Sequence, residues 1–143
     1  MFERLTFIDL ETTGLDERDD EIIDFGAVRL ENGEITERFS QLVNPGRPIP
    51  FNIAHMTGIT DDDVADAPSQ AAALRAFMEF VGDDICVAHN AIFEKKFLGA
   101  KSFGSFGNTV LDTLQLSRLL LPTMEHHDLD TLTKSLKLGP RDM

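Results

Sequence analysis

The chain has 143 residues, of which 25 are acidic and 13 basic, so its formal net charge is -12. This length predicts one domain, and the hydrophobic share of 42% with 27% charged residues excludes a disordered chain. The single cysteine, Cys86, excludes a disulfide scaffold and favours a reducing, cytoplasmic setting. Nearly all of the excess negative charge lies in residues 1–66, so a basic groove for long duplex DNA is not expected. No apolar run approaches the length of a membrane span.

Three strand patterns come first. Residues 5–11 are apolar on both faces until the end of the run, which is typical of a central strand covered on both sides. Residues 21–30 and 35–43 form the second and third patterns, and Asn32-Gly33 lies between them. Asn-Gly favours a tight hairpin because both turn positions need a positive φ, so strands two and three are predicted to be antiparallel.

Helical patterns begin after a loop over residues 44–50. Thr60 or Asp61 is predicted to cap a short helical turn. Apolar residues at helical spacing then predict an amphipathic helix with Pro68 in its first turn and its end near Gly82.

The rest of the chain alternates between strands and helices. The predicted elements are a buried strand over 85–88, a helix over 91–98, a strand over 109–111, a helix from Asp112 or Thr113 to Leu121, and a last helix from Asp128 to Gly139. This order predicts an α/β fold with a five-stranded mixed sheet, three antiparallel strands followed by two parallel ones, with helices packed on it. The polar ends of strands one and four should then meet at the carboxyl edge, where α/β proteins place their sites.

Two acidic residues end the first strand. Asp9 and Glu11 are two residues apart, so their side chains share one face, in line with Leu5 and Phe7. If that row faces the core, the carboxylates repel each other unless a cation lies between them, and oxygen ligands of this kind favour Mg²⁺ or Mn²⁺. On spacing alone, a strand that has already emerged into solvent by residue 9 explains the pair equally well.

The residues around this pair resemble a known family. The run Phe7-Ile8-Asp9-Leu10-Glu11-Thr12-Thr13-Gly14 resembles the first signature of the DnaQ-like, or DEDD, 3′–5′ exonuclease superfamily. Three later stretches resemble further family segments in the right order: the loop over 45–60 of the proofreading-subunit branch, the second signature over 87–98, and the strand and helix over 111–122. The resemblance therefore extends over nearly the whole chain.

The resemblance implies a ribonuclease H-like fold and hydrolysis of the last phosphodiester at a nucleic-acid 3′ end, with release of nucleoside 5′-monophosphates. It also implies two Mg²⁺ or Mn²⁺ ions, with Asp9 bridging them and Glu11 holding the first. Glu94 stands at the position of the third acid, where the family normally has Asp. The alternative interpretation of Glu94 is an exposed helical residue.

The same resemblance points to residues that contact the terminal nucleotide. They are Thr12, Thr13, Thr57, Ile59, Asn90 and Phe93. For Phe93, packing in the core is the alternative to stacking on a sugar or base. A small basic cluster, Lys95, Lys96 and Lys101, is either a contact for backbone phosphates or a solvated helix face.

The third signature of the family, which carries a general base and the fourth acid, has no match. The chain contains no tyrosine, and neither His126 nor His127 is followed five residues later by Asp. The two histidines are interpreted as a solvated loop pair. We therefore expect a single domain over residues 1–143 without the family's closing helix, an uncovered apolar strip on the sheet, self-association through this strip, and slow or absent degradation of 3′ ends.

Two functions follow from these residues. The first is a metal-dependent 3′–5′ exonuclease domain that acts on 3′ ends of single-stranded DNA or RNA, in proofreading or repair, joined to or bound by a polymerase or helicase. The alternative is a catalytically weak or inactive nucleic-acid-binding module of the same fold. Neither involves a membrane.

Overall fold

The computed structural model describes residues 3–139. In chain order, the elements of this part are β1 (Arg4–Thr12), β2 (Ile22–Glu31), β3 (Glu34–Leu42), α1 (Phe51–Thr57), α2 (Asp61–Val64), α3 (Gln70–Val81), β4 (Cys86–Ala88), α4 (Ala91–Lys101), β5 (Val110–Asp112), α5 (Thr113–Leu120) and α6 (Leu129–Ser135). None of the helices in this range is long and apolar enough to cross a membrane.

The strands form one sheet in the order β3-β2-β1-β4-β5. β1 pairs with β2, and β2 with β3, in antiparallel fashion, whereas β4 pairs in parallel with both β1 and β5. At the predicted hairpin, Asn32 and Gly33 take positive φ values of 52° and 84°. The predicted mixed five-stranded sheet and its antiparallel hairpin are therefore confirmed.

The main core lies between one face of the sheet and helices α3 and α4. The largest side chains buried there are Phe25 of β2, Phe77 of α3 and Phe97 of α4. From β1, Ile8 and Leu10 contribute to this core, and Cys86 of β4 is buried in it as predicted. The even-numbered residues of β1 thus face the core.

Of the two interpretations of the row that contains Asp9 and Glu11, the structure agrees with a strand that has emerged into solvent and not with a core-facing row. Phe7 is 39% exposed and Asp9 is exposed, so this row lies on the opposite face of the sheet. The pattern of polar and apolar residues along β1 does not show which face is buried, because the polar residue Thr6 lies on the core side. Its buried hydroxyl donates a hydrogen bond to Asp84 (2.7 Å).

Helices α5 and α6 flank this second face incompletely. A groove of about 580 Å³ runs between them and the sheet. Its apolar lining includes Phe7 and Val87 of the sheet and Leu116, Leu120 and Leu132 of the helices. An apolar groove is therefore open on this face, and its origin in a missing closing helix stays a prediction.

A smaller core holds the segment between β3 and α3. Its members are Ile23, Ile49, Ile53, Ile59 and Val64. In the register of β1 and β2, Glu11 lies opposite Asp24 and Thr12 opposite Ile22, so Ile23 is the extra residue of a β-bulge. A bulge changes the direction of the side chains around it, and here it allows Ile23 to reach the second core.

Helix α1 was not predicted. Its seven residues offer less than two turns of periodicity, so the pattern is weak. The available signals were its ends: Pro50 precedes the helix, and Gly58 follows it in the left-handed conformation with φ 76°. Thr60 caps α2 as predicted, through a reciprocal capping box with Asp63.

Three predicted helix ends are displaced. Helix α3 is capped by Ser69, so Pro68 lies before the helix and not in its first turn. Helix α4 continues to Lys101, one turn beyond the predicted end. Helix α6 ends at Ser135 instead of near Gly139, because Lys137 adopts the left-handed conformation (φ 55°) that a glycine usually supplies.

A buried ion network secures the end of the sheet opposite to the acidic pair. Arg29 of β2 is only 4% exposed, and its guanidinium bonds to Asp84 (3.1 Å) and Glu37 (2.6 Å) and lies over the ring of Phe80. Arg4 also pairs with Asp84 (3.1 Å). Burial acts to raise the pKa of Asp84, but hydrogen bonds from Thr6 and Arg29 outweigh it and leave the pKa below its usual range.

Candidate active site

The polar ends of β1 and β4 meet as predicted, because these two strands are parallel neighbours. Asp9 and Glu11 lie near the carboxyl end of β1, and their side chains are on the incompletely covered face of the sheet. Helix α4 begins three residues after β4, and Glu94 lies in its first turn. One edge of the sheet therefore receives acidic side chains from a strand and from a helix.

The turn between β4 and α4 fixes the direction of the helix. Asn90 adopts the left-handed conformation (φ 71°, ψ 58°), and its backbone N–H donates to Oδ1 of Asp112 (3.0 Å). The same oxygen accepts the N–H of Leu114 (2.9 Å) and so caps α5. Asp112 thus joins the starts of both helices and brings a further carboxylate to this edge.

Glu94 is buried, with an exposed fraction of 3%. Its Oε2 atom has no hydrogen-bond partner. Burial raises the pKa of Glu94 to about 8, and the negative charges of Asp9, Asp112 and Glu11 add to this effect. The alternative of an exposed helical glutamate is therefore excluded, and Glu94 faces the strand-one carboxylates.

Asp24 is partly buried, and its buried Oδ1 atom has no hydrogen-bond partner. It lies opposite Glu11 in the antiparallel pair of β1 and β2. Burial raises the pKa of Asp24 to about 6, and the charge of Asp9 contributes. The sequence patterns did not show that Asp24 lies near Asp9 or that Asp112 lies near Glu94. The available signal for Asp24 was its register in the predicted sheet, since an acidic residue two positions into a buried strand is unusual.

The donor set fits a hard divalent cation. All five acidic groups supply oxygen, and two carboxylate oxygens, one each on Glu94 and Asp24, lack a partner. Within residues 3–139, no three acidic, histidine or cysteine side chains are yet arranged closely enough to hold a metal ion. Cation binding therefore requires these carboxylates to approach one another.

The loop after β1 is built around Asp20. Its Oδ1 accepts a hydrogen bond from the Thr13 hydroxyl (3.1 Å), and its Oδ2 accepts one from the Asp16 N–H (3.0 Å). Arg47 adds an ion pair to Asp20 (3.6 Å). A Cβ atom on Gly14 would lie 2.3 Å from Oδ2 of Asp20, so this close approach needs glycine.

Thr12 and Thr13 are both buried. The Thr12 hydroxyl donates to the carbonyl of Gly14, and the Thr13 hydroxyl also accepts the N–H of Glu21 (3.0 Å). The backbone N–H of Thr13 donates to the carbonyl of Glu21 (2.8 Å). These groups stabilise the loop, and the contact of Thr12 and Thr13 with a nucleotide stays a prediction.

Thr57 and Ile59 lie at the end of α1. The Thr57 hydroxyl donates to the carbonyl of Ile53 (2.8 Å) and accepts the N–H of Ile59 (3.2 Å). Ile59 is buried in the second core. In the structure these side chains shape the loop at the end of α1, and their contact with the terminal nucleotide stays a prediction.

On α4, Phe93 is half-buried and packs against Phe97, with ring centroids 4.9 Å apart. This geometry agrees with the core-packing alternative. Lys95 and Lys96 are exposed, but Lys101 is largely buried and pairs with Glu21 (3.6 Å). The predicted cluster of three lysines thus reduces to two.

The interpretation of His126 and His127 as a solvated pair was wrong for His127. Its Nδ1 contacts the Ser117 hydroxyl (3.0 Å) and its Nε2 the carbonyl of Met124 (3.1 Å). The backbone carbonyl of His127 accepts from Nε2 of His89 (2.7 Å). His127 therefore fastens the loop before α6 to α5 and to the end of β4, whereas His126 is exposed.

Comparison with known proteins identifies the class. Residues 6–142 match the family model RNase_T, described as Exonuclease. The chain belongs to this exonuclease family, and the prediction of an exonuclease domain made from the sequence motifs is confirmed.

Among curated relatives, the PolC-type DNA polymerase III of Bacillus subtilis is 41% identical over 145 residues, covering 96% of this chain and 10% of the relative. The corresponding protein of Caldanaerobacter subterraneus is 45% identical over 129 residues, covering 88% of this chain and 9% of the relative. The chain thus spans about a tenth of the length of these relatives.

Among solved structures, exonuclease X in complex with 5′ overhanging duplex DNA is 29% identical with a TM-score of 0.75, covering 96% of this chain and 75% of that chain. Product-bound exonuclease I has a TM-score of 0.83 at 18% identity, covering 99% of this chain and 40% of that chain. The second likeness concerns the fold alone. The expected ribonuclease H-like fold is confirmed.

Proposed function

We propose that this chain is a metal-dependent 3′–5′ exonuclease domain that removes nucleotides from nucleic-acid 3′ ends, as in proofreading or repair. The observation that carries the proposal is the unpartnered Oε2 of Glu94, a buried carboxylate oxygen among the charges of Asp9, Glu11 and Asp112. A buried polar atom without a partner is uncommon in a folded protein, and a bound cation would satisfy it.

The reaction is the hydrolysis of the terminal phosphodiester. Water adds to phosphorus as the bond to the 3′ oxygen of the preceding nucleotide breaks, which releases a nucleoside 5′-monophosphate and leaves a new 3′-hydroxyl. Mg²⁺ or Mn²⁺ would supply activation of the water and stabilisation of the negative charge on the phosphate and the leaving oxygen. Asp9, Glu11 and Glu94 are the proposed metal-binding and catalytic residues.

Substrate positioning is proposed to depend on the loops at the carboxyl edge. Thr12 and Thr13 hold the loop that follows the metal-binding acids, and Thr57 and Ile59 hold the end of α1. Asn90 is exposed beside Asp112, where its side chain is able to reach a nucleotide, and Phe93 supports the start of α4. These residues shape the site mainly by keeping main-chain segments in place.

The proposed substrate is a single-stranded 3′ end of DNA or RNA. Exonuclease X, the DNA-bound neighbour, supports nucleic acid as the ligand. The PolC-type relatives support a role beside a DNA polymerase, although the chain corresponds to only about a tenth of their length. Exposed Lys95 and Lys96 are candidates for contacts with the phosphate backbone.

The test is release of nucleotides from single-stranded oligonucleotides labelled at either the 3′ or the 5′ end, in the presence of Mn²⁺. We expect slow, Mn²⁺-dependent release of a labelled nucleoside monophosphate from the 3′ end only. Asp9→Asn abolishes release, whereas the matched variant Asp83→Asn retains it, since Asp83 is exposed in the turn after α3. Equal release by Asp9→Asn contradicts the proposal. Binding without Mn²⁺-dependent release favours an inactive nucleic-acid-binding module.

A further inference from the structure

Asp24 and Glu11 are cross-strand neighbours. They lie directly opposite each other in the antiparallel pair of β1 and β2. Side chains of opposed residues lie on the same face of the sheet, with Cβ atoms about 5 Å apart. Like charges at such positions repel each other unless something lies between them that offsets the charge.

The same face carries Asp9. In the register of β1 and β2, Asp9 lies opposite Gly26, two residues along β2 from Asp24. Gly26 has no side chain, and a Cβ atom there would meet only the Asp9 carbonyl oxygen, at 3.7 Å. The negative charge of Asp9 contributes to the raised pKa of the Asp24 carboxyl, which is consistent with this proximity.

Two of the acidic residues near Asp9 have a carboxylate oxygen without a hydrogen-bond partner. Within residues 3–139, the buried side-chain oxygens without a hydrogen-bond partner are Oδ1 of Asp24 on β2 and Oε2 of Glu94 on α4. Only 3% of Glu94 is exposed. The negative charges of Asp9, Asp112 and Glu11 contribute to its raised pKa. These two oxygens belong to elements that are far apart in sequence, and the charge of Asp9 acts on both carboxyls.

The position of Asp24 is set by the β-bulge. The unpaired Ile23 precedes it immediately and packs in the second core, which anchors the backbone on one side. On the other side, Phe25 is fully buried in the main core. The carboxylate is therefore held by two packed neighbours, and bulges beside active sites commonly direct a side chain into the site.

We propose that Asp24 is a fifth acidic group of the site and binds the divalent cation together with Glu11. This inference rests on the proposed function, because it concerns the same cation. Asp24 is thereby distinguished from acidic surface residues: its backbone is fixed, it opposes a proposed metal-binding residue, and its Oδ1 lacks a protein donor.

The experiment is calorimetric titration of Mn²⁺ into the wild-type chain and the variants Asp24→Asn, Asp24→Glu, Asp9→Asn and Asp83→Asn. We expect Asp24→Asn to weaken Mn²⁺ binding by about tenfold or more, as is typical when a group supporting a metal site is replaced. Asp24→Glu restores part of the affinity because the negative charge returns. Asp83→Asn binds like the wild type, which excludes a general effect of net charge.

Thermal unfolding with and without Mn²⁺ is the second readout. A variant that unfolds cooperatively without Mn²⁺ but loses the Mn²⁺-dependent rise in Tm has lost binding and not its fold. If Asp24→Asn binds Mn²⁺ like the wild type while Asp9→Asn does not, the role of Asp24 is refuted and the proposed function stands. If the wild-type chain binds no Mn²⁺, the proposed function and this inference both fail.

Discussion

Glu94 on α4 and Asp24 on β2 are joined by one electrostatic relationship: burial and then the charge of Asp9 raise the pKa of both carboxyls. Each of them also has one oxygen without a hydrogen-bond partner. The site therefore concentrates negative charge in a place where the protein itself compensates for it poorly. Protons relieve this repulsion at low pH, and we expect a divalent cation to relieve it at neutral pH.

The first prediction concerns the dependence of stability on pH without metal. The pKa of Glu94 is about 8 in the folded chain against a usual value of 4.5, so the folded state binds its proton more tightly than the unfolded state. The resulting stability is fully present below pH 4.5 and is lost as the pH rises through 8, by an amount on the order of 5 kcal/mol at most.

Glu94→Gln should therefore flatten the decline of the free energy of unfolding between pH 6 and pH 8. Urea denaturation in EDTA across this pH range measures it. Below pH 6 part of the slope should persist, because the pKa of Asp24 is raised to about 6. Asp83→Asn serves as the control and should keep the wild-type slope. A Glu94→Gln slope equal to that of the wild type would mean that Glu94 is ionised in the folded chain.

The second prediction concerns the length of the side chain at position 94. Glu94 is one methylene longer than the aspartate that the resembling family normally carries. If it binds the cation, Glu94→Asp should preserve or improve Mn²⁺ affinity, and Glu94→Ala should weaken it. Titration calorimetry of the three proteins decides the matter, with Mn²⁺-free melting curves as the check on folding. Equal affinities in all three would assign Glu94 to the structure alone.

Sequence patterns specified the sheet and the edge where the site lies, but not which face of β1 carried it. Hydrophobic alternation failed because Thr6 and Thr12 are buried on the core side through hydrogen bonds, whereas Phe7 remains partly exposed. Glu94 was predictable from a motif. Asp24 was not, since its importance depends on its register opposite Glu11 and on the burial of Oδ1. Such properties arise only when the strands are paired.

The hydrogen bonds within the loops could not be predicted from the sequence either. Thr12 and Thr13 carry the right chemistry to bind a nucleotide, and nothing in a linear pattern shows that their hydroxyls also donate to the Gly14 carbonyl and to Asp20. His127 presents the same difficulty, because its partner Ser117 lies on a different element. Local patterns identify which groups are capable of a contact, and the tertiary structure decides which contact is made.

The third prediction tests the loop held by Asp20. Gly14→Ala would place a Cβ atom 2.3 Å from Oδ2 of Asp20, so the carboxylate must move away from Thr13 and Asp16. We expect a loss of about 1–3 kcal/mol in the free energy of unfolding, as for overpacked sites, and slower release of 3′ nucleotides.

Gly99→Ala is the matched control for this variant. Gly99 lies within α4, and a Cβ atom there meets nothing within 4 Å. Alanine favours the helix over glycine by roughly 0.8–1 kcal/mol, so this variant should be as stable as the wild type or more stable. Similar losses of stability in both variants would show that the contact with Asp20 is not the cause.

The fourth prediction separates structural carboxylates from those of the site. Asp84 accepts bonds from Thr6, Arg4 and the buried Arg29. Asp84→Ala leaves the Arg29 guanidinium without its buried partner, which should cost about 3–5 kcal/mol. Glu37→Ala removes a partner that is 56% exposed, and the cost should be about 0–1 kcal/mol.

The pH dependence of Asp84 has the opposite sign to that of Glu94. Because its pKa is lowered in the folded chain, its contribution to stability is present above its unfolded pKa and is lost as the pH falls. Asp84→Ala should therefore flatten the acid limb of the stability profile and leave the limb between pH 6 and pH 8 unchanged. Since Asp84 lies at the opposite end of β1 from Asp9, Mn²⁺ affinity should stay at the wild-type value. A variant that loses stability and Mn²⁺ affinity together would show that the two ends of the sheet are coupled.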